Sequence, residues 1–163
     1  MPGVEIERKW LVPELPAEAL GGPPPDTIQQ GYLTIGNDGA ETRVRRRAAQ
    51  CTLTVKSGRG MVRAESEITI TSEQFEALWP ATAGARVEKQ RYTRRLGGHS
   101  IELDVYAGSL RGLIVAEVEF DDPREALAFA APRWFGPEVT ADPEYKNQRL
   151  ALRGGPPPAP TSR

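Results

Sequence analysis

Strict alternation of apolar and charged residues runs through this chain from its beginning. Over Val4–Val12 it sets Val4, Ile6, Arg8 and Trp10 on one side and Glu5, Glu7 and Lys9 on the other, the period-two signature of a β-strand. The same period predicts strands over Thr27–Ile35, Glu41–Ala48, Cys51–Lys56, Val62–Ile70, Ala85–Leu96, Ser100–Tyr106 and Leu113–Phe120. Turn residues separate them at Gly21–Pro25, Gly36–Gly39, Ser57–Gly60 and Gly97–Ser100. At Thr71–Glu76 the period changes, and a hydroxyl residue followed by acids predicts a helix start, with the helix ending near Trp79–Pro80. Asp-Pro steps predict a helix over Arg124–Ala131 and a last one from Asp142–Pro143 through Ala151. Pro13–Leu20 has room for one or two helical turns. Eight strands with few helices predict a mainly β (α+β) protein built on an antiparallel, barrel-like sheet.

Composition narrows the class without naming a function. The 163 residues, 39% hydrophobic and 26% charged, suit one soluble globular domain, expected over 1–153. The Pro-rich residues 154–163 read as a disordered tail. A net charge of -1 provides no global field for nucleic acid or an anionic membrane. With no signal peptide, no membrane-spanning apolar run and a single Cys51, the expected location is the reducing cytoplasm. The lone His99 sits in a predicted turn and reads as an exposed turn residue rather than a base.

The polar faces are the unusual feature. Glu is a poor strand former, yet like charges recur at i, i+2 as Glu5/Glu7, Arg43/Arg45, Glu65/Glu67, Lys89/Arg91, Glu102/Asp104 and Glu117/Glu119. Like charges about 7 Å apart along a strand repel, so solubility alone does not select them. They make sense if the charged faces point inward around something that needs both signs. Carboxylates from several strands bind hard divalent cations through oxygen, and Arg and Lys bind phosphate oxygens.

Glu5-Ile6-Glu7-Arg8-Lys9 resembles the ExExK signature of the CYTH domain, or triphosphate tunnel metalloenzyme, family. Gln30–Leu33, Arg43–Arg45, Leu53–Gly58, Arg63–Glu67, Glu102–Val105, Gly112–Phe120 and Trp134–Thr140 resemble bacterial single-domain members in order and spacing. The resemblance implies a closed eight-stranded antiparallel tunnel with a few surface helices and a C-terminal helix, acting on triphosphates with Mg²⁺ or Mn²⁺. It implies Glu5, Glu7, Glu117 and Glu119 as metal ligands, with Glu102 and Asp104 as further candidates. Lys9, Arg43, Arg45, Lys56, Lys89 and Arg91 would clamp the triphosphate, and Arg63 shares their parity. Lys9, Lys89, Glu65, Glu67 and Asp104 form the expected catalytic set, the acids holding water or orienting bases. Arg8, Arg46 and Arg47 are expected to be structural or surface residues, and Trp10, Tyr32 and Phe120 packing residues. The segment Asp142–Ala151, with Lys146 and Arg149, either crosses one mouth or packs outside.

The leading expectation is hydrolysis of inorganic tripolyphosphate to pyrophosphate and phosphate. Thiamine triphosphatase, nucleoside triphosphatase, class IV adenylate cyclase and a non-catalytic polyphosphate- or nucleotide-binding module are the alternatives, since one set of tunnel residues serves them all. The partner is a small-molecule triphosphate, and the sequence leaves a homodimer open.

Overall fold

Each alternating segment forms a strand in the computed structural model, which describes residues 3–59 and 61–160. Gly60 of the turn expected at Ser57–Gly60 and the last three residues of the tail lie outside the described residues. The strands are β1 (Gly3–Leu11), β2 (Asp26–Ile35), β3 (Glu41–Arg47), β4 (Gln50–Ser57), β5 (Val62–Ile70), β6 (Arg86–Leu96), β7 (His99–Tyr106) and β8 (Ile114–Glu119). All neighbours are antiparallel and the sheet closes in the order β1-β5-β4-β3-β2-β6-β7-β8. Two meanders, β2 to β5 and β6 to β8, are joined by the β2–β6 pairing and closed by β1.

Alternation decides which side chains go where. The apolar faces of β1, β7 and β8 turn outward, where Ile6, Trp10, Ile101, Leu103 and Val118 pack with Ala19 of α1 (Ala17–Leu20) and Phe135. The outer face of β3 and β4 is covered by α2 (Ser72–Leu78), whose Phe75 meets Val44 and Cys51. Thr71 starts α2 with a reciprocal capping box to Gln74, satisfying two backbone donors that would otherwise be unpaired.

Asp122 caps α3 (Pro123–Ala128) by accepting from the backbone N–H groups of Arg124 and Glu125. That helix stops short of the predicted Ala131. Phe129 leaves helical geometry, and its ring joins Trp10, Phe120 and His99 at centroid distances of 5.5, 5.4 and 5.1 Å. His99 is therefore not an exposed turn residue: it begins β7 and lies edge-on against that aromatic group, outside the barrel.

One end of the barrel interior is apolar. Tyr32, Val87, Tyr106 and Val115 share the inward parity of the charged residues and meet Tyr145, Leu150 and Ala151 of the C-terminal segment. Strand lengths explain why that segment arrives there. β1 pairs with β5 only over Gly3–Ile6, which leaves the edge of its second half free on that side. Residues 136–140 take that edge: Gly136 N–H donates to the Leu11 carbonyl at 2.7 Å, Leu11 N–H to Pro137 at 2.9 Å, and Val139 N–H to Lys9 at 2.8 Å. Gly136 is required, because a Cβ there would lie 2.9 Å from the Leu11 carbonyl oxygen.

The chain then passes through a 3-10 turn, Pro143–Tyr145, capped by Asp142, and enters α4 (Asn147–Leu152). The single last helix expected from Asp142 is thus two pieces, interrupted at Lys146, whose ψ is 137°. Buried Gln148, Leu150 and Ala151 make α4 a plug in the barrel end. Beyond it Pro157 is buried, and the Tyr145 hydroxyl donates to the Pro158 carbonyl at 3.1 Å. Among the described residues, no helix is long and apolar enough to cross a membrane.

Candidate active site

With one end plugged, the lumen is a cup of about 280 Å³. Its wall includes Glu5, Glu7 and Lys9 from β1, Arg43 and Arg45 from β3, Lys56 from β4, and Arg63, Glu65 and Glu67 from β5. Lys89 and Arg91 from β6, Glu102 from β7, and Glu117 and Glu119 from β8 complete it. The side chains that alternation places on the charged faces thus share one cavity.

Register then pairs the charges across strands. Glu41 lies opposite Lys56, Lys56 opposite Glu65, Glu5 opposite Arg63, Arg91 opposite Asp104, and Lys9 opposite Glu117. At these positions the repulsion along a strand is relieved by the neighbouring one, whereas Arg43 and Arg45 of β3 face Thr54 and Thr52. Lys56 Nζ sits 2.7 Å from Glu5, and Lys9 Nζ lies 3.3 Å from Glu117 and 3.6 Å from Glu7.

Two pairings break this pattern. Glu102 faces Glu117, and Glu7 faces Glu119. Glu117 is compensated: burial alone would raise its pKa, but Lys9 and Arg91 outweigh burial and hold it well below the ordinary carboxylate value. Glu119 has no such relief. Partial burial, then the charges of Glu5, Glu102, Glu65 and Glu7, push its pKa above 4.5.

The deep wall has the opposite imbalance. Burial, then Arg43 and Arg91, lower the pKa of Arg45 despite Glu67 at 3.5 Å. Among the described residues, the buried Nε atoms of Arg43 and Arg63 have no hydrogen-bond acceptor. Buried donors left unpaired are costly unless a ligand supplies the acceptor. Among the described residues, the cup thus has at its mouth one carboxylate, Glu119, that is crowded by acids and has no cation within ion-pair distance, and below it guanidinium donors without acceptors.

Asp104 is placed differently from the other predicted acids. It is fully buried behind the wall, accepting from Lys89 Nζ at 2.5 Å and from Arg91 Nε and Nη2 at 2.6 and 2.7 Å. Burial raises its pKa, but Arg91 and Lys89 outweigh that and keep it below the ordinary value. Both oxygens are engaged by cations, so its geometry is that of a residue orienting bases. Burial, reinforced by Arg91, pushes the Lys89 ammonium down to about 8 even against its bond to Asp104.

Comparison with known proteins agrees with this geometry. The chain is 50% identical over 149 residues to an inorganic triphosphatase from Nitrosomonas europaea, covering 91% of this chain and 97% of that protein. It is 35% identical over 150 residues to one from Acetivibrio thermocellus, covering 91% and 93%. The chain belongs to the CYTH, or triphosphate tunnel metalloenzyme, family. A solved inorganic triphosphatase superposes with a TM-score of 0.68 at 47% identity, over 91% of this chain and 95% of that one. No family model matches the chain.

Within this CYTH barrel, several wall residues were not among the sequence candidates. Gln30, Glu41, Ser100 and Asn147 line the cup, as does Lys146. Glu41 shares the parity of Arg43, which was the available signal, and it lies 3.7 Å from Arg43 and 3.5 Å from Arg63. Arg47, expected at the surface, instead stands at the mouth, 2.7 Å from Asp26 and 3.7 Å from Glu102. Arg8 and Arg46 do lie outside, Arg8 paired with Glu138 at 2.6 Å and Arg46 over the Phe75 ring at 4.3 Å. Tyr32 packs at the floor, its hydroxyl accepting from Gln30 Nε2 at 2.8 Å.

Glu119 yields a test of the mouth. Its folded pKa lies above the unfolded one, so the proton is held more tightly when folded. That stabilisation exists below the unfolded pKa and is lost as pH rises through the folded pKa. Glu119→Gln mimics the protonated form. The variant should melt higher than wild type at pH 7 without metal, and the gain should vanish in acid. A lower midpoint at pH 7 would show that the neighbouring acids do not repel Glu119.

Proposed function

We propose that this protein is a divalent-metal-dependent inorganic triphosphatase, hydrolysing tripolyphosphate to pyrophosphate and phosphate. The observation that carries the reading is the layered charge of the cup, with Glu119 unrelieved among the acids of the mouth and buried guanidinium donors lacking acceptors below. A substrate satisfying both layers is a polyanion that arrives with metal. The named relatives support the same activity.

Among the described residues, no three metal-ligating side chains already form a ready-made cage. The donor set nevertheless suits Mg²⁺ or Mn²⁺: the acids are all-oxygen donors, and Glu119, opposite Glu7 in the register, is surrounded by acids. Glu5, Glu7, Glu117 and Glu119 would hold the ion, which when bound polarises the phosphoryl group and the attacking water. Lys9, Arg43, Arg45, Lys56, Arg63, Lys89 and Arg91 bind the phosphate oxygens and hold the chain in line, stabilising charge that spreads onto those oxygens during transfer. Water attacks the terminal phosphorus, the bridging P–O bond breaks, and pyrophosphate departs with that oxygen. Glu65 and Glu67 at the mouth accept hydrogen bonds from the incoming water and take up its proton. Asp104 orients Lys89 and Arg91.

The inorganic substrate is favoured over an organic triphosphate by the closed end. With the terminal phosphorus attacked beside Glu65 and Glu67 at the mouth, a nucleoside or thiamine group on the opposite phosphate would have to enter the floor that Tyr32, Tyr106, Leu150 and Ala151 already fill. Phosphate release from tripolyphosphate, ATP and thiamine triphosphate, each with Mg²⁺, Mn²⁺ or EDTA, tests the reading. Metal-dependent release is expected, fastest from tripolyphosphate. Cyclic AMP formation from ATP, or no release from any substrate, overturns it.

A further inference from the structure

The closed end of the cup is built partly by the C-terminal segment. Lys146, at the break between the 3-10 turn and α4, lines the cavity. Its charged surroundings are Arg63, Glu41, Lys9 and Arg59, three cations and one acid, and that acid is already shared by Arg43 and Arg63. Among the described residues its ammonium has no carboxylate within ion-pair distance. The Nζ lies beside Gly39, where a Cβ would come within 3.7 Å of it, and the Gly39 carbonyl accepts from Arg63 Nη2 at 2.9 Å. The ammonium therefore stands in the same group as the Arg63 guanidinium, whose Nε lacks an acceptor.

The next residue reaches the other side of the floor. Asn147 Oδ1 accepts from the Tyr106 hydroxyl at 2.5 Å and from Lys89 Nζ at 3.4 Å. Lys89 is thus held between Asp104, which its ammonium also meets, and Asn147, with one N–H left for the lumen.

We propose that Lys146 and Asn147 complete the triphosphate site from the C-terminal segment, Lys146 contacting the phosphate that reaches the closed end and Asn147 positioning Lys89. Lys9 has Glu117 and Glu7, but among the described residues Arg63 and Lys146 have between them only Glu41, which Arg43 also uses; this surplus of cations calls for an anion, and the backbone hydrogen bonds of Lys146 hold it at the floor. The plug is then part of the site as well as its wall. This inference rests on the triphosphatase reading.

Titration calorimetry of metal-free protein with tripolyphosphate tests Lys146. Lys146→Met, which keeps the aliphatic stem, should weaken binding about 10- to 100-fold, the range for a lost charge-assisted hydrogen bond. Lys146→Arg should recover most of it. Arg149→Met removes the same charge from an exposed position on α4 and should leave binding unchanged. For Asn147, steady-state turnover with Mn²⁺ should show Asn147→Ala lowering kcat about tenfold with KM changed little, as for a group acting through another.

Equal binding by wild type and Lys146→Met, or equal weakening by Arg149→Met, overturns the Lys146 assignment. A wild-type kcat in Asn147→Ala overturns the other. If wild type hydrolyses tripolyphosphate while these variants match it, only this inference falls. If wild type neither binds nor hydrolyses tripolyphosphate, the triphosphatase reading falls with it.

Discussion

Glu7→Gln is expected to lower metal-dependent tripolyphosphate turnover by a factor on the order of a hundred or more, the scale for losing one preorganised electrostatic contact. The metal-free protein should melt at the same temperature or slightly higher. Two opposing contacts decide the second part. Glu7 lies 3.6 Å from Lys9, a pair worth at most about 1 kcal/mol at this partly exposed position. It also faces Glu119 across β1 and β8, an acid surrounded by other acids, and glutamine removes that repulsion. Lys9 meanwhile keeps Glu117 at 3.3 Å, so no buried cation is stranded. Activity and metal-free stability should therefore separate. Added Mn²⁺ should raise the wild-type midpoint more than that of the variant, since an ion bound only by the folded state stabilises it by mass action. Wild-type turnover in Glu7→Gln would remove this face from the site.

Most of the cup was legible in the chain because a strand has only two faces. Once Glu5 and Lys9 are read as inward, the parity of Arg43, Lys56, Glu65, Lys89, Glu102 and Glu117 follows from alternation within each strand. What one strand cannot reveal is register. The sequence shows Glu117/Glu119 as a like-charge pair, but only the pairing of β8 with β1 and β7 shows Glu117 neutralised by Lys9 and Glu119 left facing Glu7. Arg47 was misread because its nearness to the strand end suggested the surface, whereas the end of β3 forms the mouth. His99 was misread because a glycine turn suggests exposure, yet the ring is drawn onto Phe120 and Phe129 from a helix end distant in sequence.

The plug was undecidable from the chain. Tyr32, Val87, Tyr106 and Val115 carry the inward parity but are apolar, which suits either a narrowed lumen or contact with another element. Their partners Leu150 and Ala151 reach them because residues 136–140 occupy the β1 edge that β5 leaves free. Strand-length mismatch is a tertiary property that local pattern does not record.

Asp104→Asn should have the largest effect on stability. The carboxylate is fully buried and is shared by Lys89 and Arg91. Removing the carboxylate leaves Lys89 without an acid and takes two bonds from Arg91, which keeps Glu102 at 2.5 Å and Glu117 at 3.4 Å; the cost is about 3 kcal/mol, the low end for breaking a buried pair. For a chain of this size that is a fall of roughly 10 °C in thermal midpoint. Lys89 can shed its proton to limit the loss, since burial already brings it to about 8, but Arg91 cannot. The double variant Asp104→Asn/Lys89→Met should accordingly be less destabilised than the sum of the single variants. The same substitution separates two roles for Asp104. If the carboxylate orients Lys89 and Arg91, kcat falls at least tenfold while the Mn²⁺ concentration for half-maximal turnover stays where it was. If it binds the ion, that concentration rises with little loss of turnover at saturating metal. The occupied oxygens, 2.5 to 2.7 Å from their cationic donors, favour the first outcome, because an ion at Asp104 would have to displace both bases from the carboxylate that holds them toward the phosphates.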